Sequence, residues 1–307
     1  MSRLAAVTGA TGFLGRRLVA TLLQRGFAVR ALVRRPWEGE PIELVAGDLD
    51  DADALDRLAG GAEVLIHLAG AVKARGRREF LEVNGAGAGR AAAAAARAGG
   101  RGVLVSSLVA REPQLSDYAA SKLAGEIAAR EALGERLTIL RPPAIYGPGD
   151  RATLDLFRAA ARSPILPIPD VPAARLAIAY VDDVCTAICD LAAAPCGPGP
   201  YAFGGARPSG YSWAEIAAAL ARATGRRPIR VAIPPWALRA AGAGAQGLSR
   251  LTGVPSMLTP GKAREILHPD WTVAEDQAPT GPRSPVTDLE HGFARTVQWY
   301  RERAWIA

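Results

Sequence analysis

The chain has 307 residues, 49% of them hydrophobic, so it can bury a full core in one large domain or two unequal ones. Its longest apolar runs fall short of a membrane span and its first residues enter a strand at once with no cleavable leader, so a cytoplasmic protein is expected. The net charge of +7 is almost wholly arginine, with lysine only at Lys73, Lys122 and Lys262; no basic run is interleaved with stacking aromatics, which argues against a nucleic-acid partner and leaves attraction to anionic cofactors or lipid surfaces.

In chain order, Arg3 to Val7 reads as a short buried strand, and Leu14 to Leu23 has helical periodicity. Between them TGATGFLG, residues 8 to 15, supplies Gly9, Gly12 and Gly15. These lack the Cβ that would bar positive φ or hold a phosphate away from backbone N–H groups. A strand turning into a helix N-terminus is a ready anion site, and Thr8 and Thr11 are expected to brace the turn through their side chains. An ordinary glycine-rich turn is the alternative. The strand Ala28 to Val33 follows, then Ile42 to Ala46 ending in Gly47-Asp48-Leu49, a short helix through Leu55 and Leu58, the strand Val64 to Leu68 and the turn Ala69-Gly70. An alanine-rich helix from Gly85 to Ala98 leads to the strand Gly102 to Val105 and to Ser106-Ser107; the helix carrying Tyr118 and Lys122 precedes the strand Leu137 to Leu140. This alternation predicts right-handed βαβ crossovers and an α/β fold with a doubly wound parallel sheet.

Tyr118 and Lys122 stand one helical turn apart. A free tyrosine titrates near pH ~10 and is a poor base at neutrality, so a cation on the same helical face is what proton transfer by a phenol needs. At the end of the second strand, in GFAVRALVRRP (Gly26 to Pro36), Val33 occupies the place where NAD-binding folds carry an acid. Arg34 and Arg35 follow it and suit a 2′-phosphate; two solvated surface arginines are the alternative. Cys185 and Cys189 are i,i+4 on a predicted helix, where burial as small apolar groups is expected and a metal or disulfide is not. Asp182 and Asp183 open a helix and read as structural before catalytic. Ser212-Trp213-Ala214-Glu215 resembles a capping box one residue out of register. Residues 229 to 260 include an apolar, weakly charged stretch with Trp236, Leu238, Leu248, Leu251 and Met257, which would line an acyl or sterol channel, rest on a membrane surface, or simply pack through one face.

The sequence resembles the extended short-chain dehydrogenase/reductase family, whose members are NAD(P)-dependent and epimerase/dehydratase-like. The resemblance rests on TGATGFLG at 8 to 15, GDL at 47 to 49, HLAG at 67 to 70, VN at 83 to 84, SS at 106 to 107, YAASK at 118 to 122, RPPAIYGPGD at 141 to 150 and YVDDV at 180 to 184. It implies a Rossmann domain over residues 1 to 150, with further core elements from about 177 to 205, and a smaller, mostly helical substrate lobe over 151 to 307. It places Thr8, Gly9, Thr11, Gly12, Phe13, Leu14, Gly15, Arg34, Arg35, Asp48, Leu49, Leu68, Ala69, Gly70, Tyr118, Lys122 and Pro142 at the cofactor, with Asp48 at the adenine amino group. By the same resemblance Ser107 orients the substrate oxygen, Tyr118 exchanges the proton, and Lys122 lowers the phenol's pKa while holding the nicotinamide ribose. Asn84 matches the family's helix-bending, water-holding asparagine, or serves only as a helix-start residue. Ser106 is the other candidate serine; Ser107 is preferred because it stands directly before the apolar Leu108. Arg34-Arg35 resembles the NADPH pattern of dihydroflavonol-reductase-like members, which puts NADPH ahead of NAD.

Two departures weaken a nucleotide-sugar reading. Only ten residues separate Ser107 from Tyr118, and Arg175 is displaced by one position from the place of the family's diphosphate-reaching arginine. SSLVAREPQLSDYAASK resembles the branch that holds the NADPH-binding accessory subunit of respiratory complex I and bacterial keto-lipid reductases of the ceramide type. The expectation is an NADPH-dependent oxidoreductase, reducing a ketone or oxidising the alcohol on a bulky lipid-like substrate such as a keto-sphingoid, ceramide or sterol-like compound. A nucleotide-sugar epimerase or dehydratase with tightly bound NAD, and a non-catalytic NADPH-binding subunit, are the alternatives. The oligomeric state stays open, a homodimer included, and so does peripheral membrane contact.

Overall fold

The computed structural model describes residues 3–35, 37, 39–194, 196–279 and 286–306; Pro36, which ends the arginine stretch, lies outside them. The chain forms two compact units, one built mainly from Met1–Pro142 and Cys185–Ala202, the other from Pro143–Val184, Phe203–Ala278 and Ser284–Ala307.

The elements of the first unit begin with β1 (Leu4–Thr8), α1 (Phe13–Gln24), β2 (Ala28–Val33), β3 (Glu43–Ala46), α2 (Ala52–Ala59) and β4 (Val64–His67). They continue with α3 (Arg77–Phe80), α4 (Gly87–Arg97), β5 (Arg101–Val105), α5 (Asp117–Leu133) and β6 (Leu137–Arg141). The later elements are β7 (Ala144–Tyr146), α6 (Leu154–Arg162), β8 (Ile165–Pro169), β9 (Arg175–Leu176), β10 (Ile178–Tyr180), α7 (Val181–Ala193) and β11 (Tyr201–Ala202). Then come α8 (Trp213–Thr224), β12 (Ile229–Ile233), α9 (Pro235–Thr252), α10 (Pro260–Leu267), β13 (Asp270–Trp271) and α11 (Leu289–Glu302).

Seven strands form one sheet in the order β11-β6-β5-β4-β1-β2-β3, every pairing parallel. The expected doubly wound α/β sheet is therefore present. Its central strands are apolar on both faces, as a sheet covered by helices on each side requires: Ala5, Ala6, Val7, Val64 and Ile66 are wholly buried. Strand order reverses at β1, whose neighbours are β2 and β4, and the crevice beyond their carboxyl ends is where such sheets bind ligands.

The alanine-rich helix differs from the reading of the sequence. Helical backbone starts at Arg77, and α3 and α4 are joined by a π turn over Leu81–Ala86. Asn84 lies inside that turn, so it is not a helix-start residue. Ala88, Ala91 and Ala95 of α4 keep the helix thin where it meets Leu55 and Leu58 of α2 and Leu104 and Ile139 of the sheet. A Cβ at Gly125 of α5 would collide with the Asn84 carbonyl oxygen, so only glycine lets α5 lie this close to the π turn.

In the second unit three strand pairs, β7 with β10, β8 with β12 and β9 with β13, are each parallel. Its core is aromatic, with ring centroids 4.8 Å apart for Tyr146 and Phe293, 5.1 Å for Phe157 and Phe293 and 5.4 Å for Phe157 and Tyr300. The Tyr300 hydroxyl donates to Asp150 O at 2.6 Å. Ser212 and Glu215 correct the expectation of an out-of-register cap. Ser212 is the N-cap and Glu215 the third helical residue, with reciprocal bonds of 3.2 and 2.8 Å, which is the capping-box spacing. Asp183 accepts from the backbone N–H and hydroxyl of Thr287 at 2.8 and 3.0 Å, which makes it an anchor for the segment entering α11. Cys185 and Cys189 are buried, and burial pushes the Cys189 thiol up to about 12.

Candidate active site

The residues singled out from the sequence gather at the carboxyl ends of β1 to β6. After β1, Gly9 adopts φ +75°, and a Cβ there would stand 2.6 Å from Ala69 N. A Cβ at Gly15 would collide with the Gly9 carbonyl oxygen, so the turn closes only with glycine at both places. Gly12 donates to Gly9 O at 3.0 Å and is the N-cap of α1. No side chain caps that helix and its first turn holds no acid, so Phe13 and Leu14 offer their N–H groups and the positive end of the helix dipole to an anion. This donor set fits a dinucleotide diphosphate.

Thr8 does not brace the glycine turn. Its Oγ1 reaches across to β4, pairing with His67 Nδ1 at 2.8 Å and accepting from Ala69 N at 3.3 Å. Register explains this, because Thr8 and His67 are directly paired in β1 and β4. Thr11 contributes its carbonyl oxygen, which accepts from Arg16 Nε at 3.2 Å. Leu68 N donates to Thr8 O at 3.2 Å, so the turn after β4 is tied to β1 by backbone as well. Beyond β2, Arg34 and Arg35 are exposed. Beyond β3, Asp48 Oδ1 accepts from Asp50 N at 2.9 Å, and Leu49 O accepts from Arg90 Nε at 2.6 Å. Pro142, beyond β6, accepts from Leu108 N at 2.8 Å and so fixes the segment that carries the two serines.

Ser106 and Ser107 are separated by their partners. Ser106 is buried and donates to the Glu126 carboxylate at 2.5 Å. Ser107 is half-buried, with its Oγ accepting from Val109 N at 3.4 Å, a long contact that leaves the hydroxyl available for a ligand. The geometry favours Ser107 as the serine open to chemistry.

On α5, Ser116 caps the helix by accepting from Ala119 N at 2.9 Å, which sets the phase of every later residue. Tyr118 is half-buried with its ring 5.9 Å from that of Phe80. One turn on, Lys122 is buried and donates to Val105 O at 3.0 Å. Burial lowers its pKa from 10.5 to about 8, and the Glu126 carboxylate on the next turn pulls it back up. Asn84 holds Ala71 from both sides: its Oδ1 accepts from Ala71 N at 2.7 Å and its Nδ2 donates to Ala71 O at 3.0 Å. The second amide hydrogen goes to Ser121 Oγ at 2.9 Å. A Cβ on Gly70 would stand 3.0 Å from Asn84 Oδ1 and 4.0 Å from Lys122 Nζ, so the turn after β4, the π turn and α5 converge here.

The sequence reading missed Glu126, Arg141 and His67. Glu126, 4% exposed, takes two bonds from the Arg141 guanidinium at 2.8 and 2.6 Å. Its spacing of four from Lys122 was the available signal. His67 is buried, and that burial, then the Lys122 charge, lowers its pKa to about 3. Among the described residues its Nε2 has no hydrogen-bond partner. No group of three or more metal-ligating side chains occurs among them either.

Comparison with known proteins agrees with this geometry. The profile of the NAD dependent epimerase/dehydratase family matches residues 5–201. The chain is 47% identical over 306 residues to the ceramide reductase of Caulobacter vibrioides, covering 98% of this chain and 95% of that protein. It is 35% identical over 170 residues to sterol demethylase protein B of Methylococcus capsulatus, covering 47% of this chain and 52% of that one. Among solved structures, gox2253 superposes with a TM-score of 0.76 at 21% identity over the whole of both chains, a likeness of fold. With its glycine turn, its parallel sheet and a family match over most of its length, the chain belongs to the NAD dependent epimerase/dehydratase family of extended short-chain dehydrogenases/reductases and is an NAD(P)-dependent enzyme.

Proposed function

We propose that the chain is an NADPH-dependent ketoreductase acting on a lipid-like substrate of the keto-sphingoid or ceramide class. The observation that carries the reaction type is Tyr118 held one helical turn from the buried ammonium of Lys122. The substrate class is supported by the ceramide reductase that matches nearly the whole chain. The preference for NADPH is supported by Val33 at the place where an acid would select a free ribose hydroxyl and by the exposed Arg34 and Arg35 directly after it.

NADPH, when bound, supplies the hydride that adds to the ketone carbon. Tyr118 gives its hydroxyl proton to the ketone oxygen, leaving an alcohol and a phenolate. Lys122 stabilises that phenolate and meets the nicotinamide ribose, while Ser107 donates to the substrate oxygen and orients it. Phe13 and Leu14 hold the diphosphate on the N-terminus of α1, Asp48 takes the adenine amino group, and Arg34 takes the 2′-phosphate.

Tyr118→Phe keeps the ring and removes the proton. Turnover of the keto-lipid should fall by roughly 10² or more while NADPH still binds. Near-normal turnover in this variant would refute the assignment of Tyr118, and binding without any turnover in the wild type would favour a cofactor-binding subunit. A parallel screen with UDP- and dTDP-sugars should show neither binding nor conversion. Conversion of a sugar nucleotide without net loss of NADPH would overturn the reductase reading.

A further inference from the structure

The second unit carries a surface that the proposed reaction does not use. Only Gly242 of α9 is buried, and a Cβ there would stand 2.9 Å from Thr259 O, which marks the side on which α9 rests against the chain entering α10. On the opposite side Trp236 (70% exposed), Ala240, Ala243, Gly247 and Leu251 (86% exposed) recur at helical spacing as one stripe. Leu248 and, just past the helix, Val254 widen it at 61% and 67% exposure. Arg239 and Arg250 run along one flank. Single exposed apolar residues are ordinary, but a stripe along five turns of helix marks a contact surface.

Charge identifies the partner. From Ile216 to Arg264 the sequence contains no Asp or Glu, yet it carries seven arginines and one lysine. A second copy seated on this face would bring the same cations against themselves. No helix among the described residues is long and apolar enough to cross a membrane. We infer that α9 docks on an anionic lipid bilayer, lying in the interface plane with Trp236, Leu251 and Leu248 among the acyl chains and Arg239 and Arg250 at the headgroup phosphates. The amphipathic stripe and its basic margin are the two requirements of an interfacial helix. Docking is independent of the substrate reading, since it is measured with no turnover.

The test is co-sedimentation of the full chain with vesicles of phosphatidylcholine alone or mixed with phosphatidylglycerol. The wild type should partition onto the anionic vesicles about tenfold more strongly, and high salt should weaken this. Trp236→Ser with Leu251→Ser should lose about tenfold in partitioning to either vesicle, whereas Arg239→Gln with Arg250→Gln should lose only the preference for the anionic one. All four side chains face water, so the melting temperature of each variant should match the wild type and separates lost docking from lost folding. Equal partitioning by the wild type and the Trp236/Leu251 variant, or no binding by the wild type, would overturn the inference. A solution dimer that this variant converts to monomer would assign the stripe to a second copy and overturn it equally. Reduction of a detergent-dispersed keto-lipid reports on the substrate reading alone.

Discussion

Changing Glu126 to Gln tests whether the buried charges beneath Ser106 and Lys122 act as one unit. The carboxylate is 4% exposed and holds Arg141 with two bonds, Ser106 with a third, and the charge of Lys122 from one helical turn away. Gln has the same shape, but its amide nitrogen would meet the Arg141 guanidinium donor to donor, leaving a cation whose side chain is only 16% exposed without its counter-charge. Removing one partner of a buried pair costs about 3–5 kcal/mol, and the isostere belongs at the low end because it keeps one acceptor. At about 2–4 °C per kcal/mol for a unit of this size, the melting temperature should drop by roughly 6–12 °C. Arg141→Met should cost a similar amount alone. Combined with Glu126→Gln it should cost far less than the sum, with a coupling of about 2 kcal/mol or more in the double-mutant cycle. Thermal unfolding of the four proteins measures this. A shift below about 2 °C in the Gln variant, or an additive cycle, would refute the unit. At a temperature where the variant stays folded, kcat should fall more than KM rises, because Ser106 anchors the strand end that carries Ser107.

Three further outcomes follow from the same geometry. Lys122 is held at about 8 in the fold against 10.5 when exposed, so the unfolded chain binds its proton more tightly and the buried cation destabilises the protein below pH 8. Lys122→Met should then be inactive yet more stable near pH ~7, by at most about 3 kcal/mol, an advantage that fades as pH rises to about 10.5; denaturant melts at several pH values check it. His67 stays neutral in the fold down to about 3 against 6.5 when exposed. Stability should therefore fall as the solution is acidified below 6.5, by about 2 kcal/mol at pH ~5, and His67→Gln should flatten this limb in urea melts. Arg34→Asp should reverse the cofactor preference, from NADPH binding about tenfold tighter than NADH to the opposite, as read by fluorescence titration. Equal affinities in the wild type would remove the 2′-phosphate role.

Local patterns were legible in the sequence wherever a short window carries the cause. The six principal strands were placed within a residue or two by apolar runs, and Tyr118 and Lys122 were put on one helical face by a spacing of four. What needed the fold were pairings set by register. Thr8 reads as a turn-bracing hydroxyl until β1 and β4 are aligned, after which His67 is its neighbour. Glu126 and Arg141 are 15 positions apart on a helix and a strand, and only the placement of β6 beside β5 brings them to one carboxylate. The π turn at Asn84 depends on α5 pressing against it through Gly125, a contact between two helices that neither helix's own pattern encodes. The Ser212 cap was the reverse case, since its spacing was already present in four consecutive residues.

The spacing of four along α5 orders three groups by depth. Tyr118 is half-buried, Lys122 is 9% exposed and Glu126 is 4% exposed. Burial brings this lysine nearer to losing its proton than a free one, and an uncharged amine would offer a phenolate no counter-charge. Glu126 counters that loss, but a bare carboxylate at the same depth would be as costly as the lysine, and Arg141 neutralises it with two bonds. Lys122, Glu126 and Arg141 together sum to one positive charge. That surplus is the part of the arrangement which does not serve folding, because replacing it by an apolar side chain would relieve the burial cost. An anion arriving beside it, whether a phenolate or a bound phosphate, gains what the folded chain alone cannot recover.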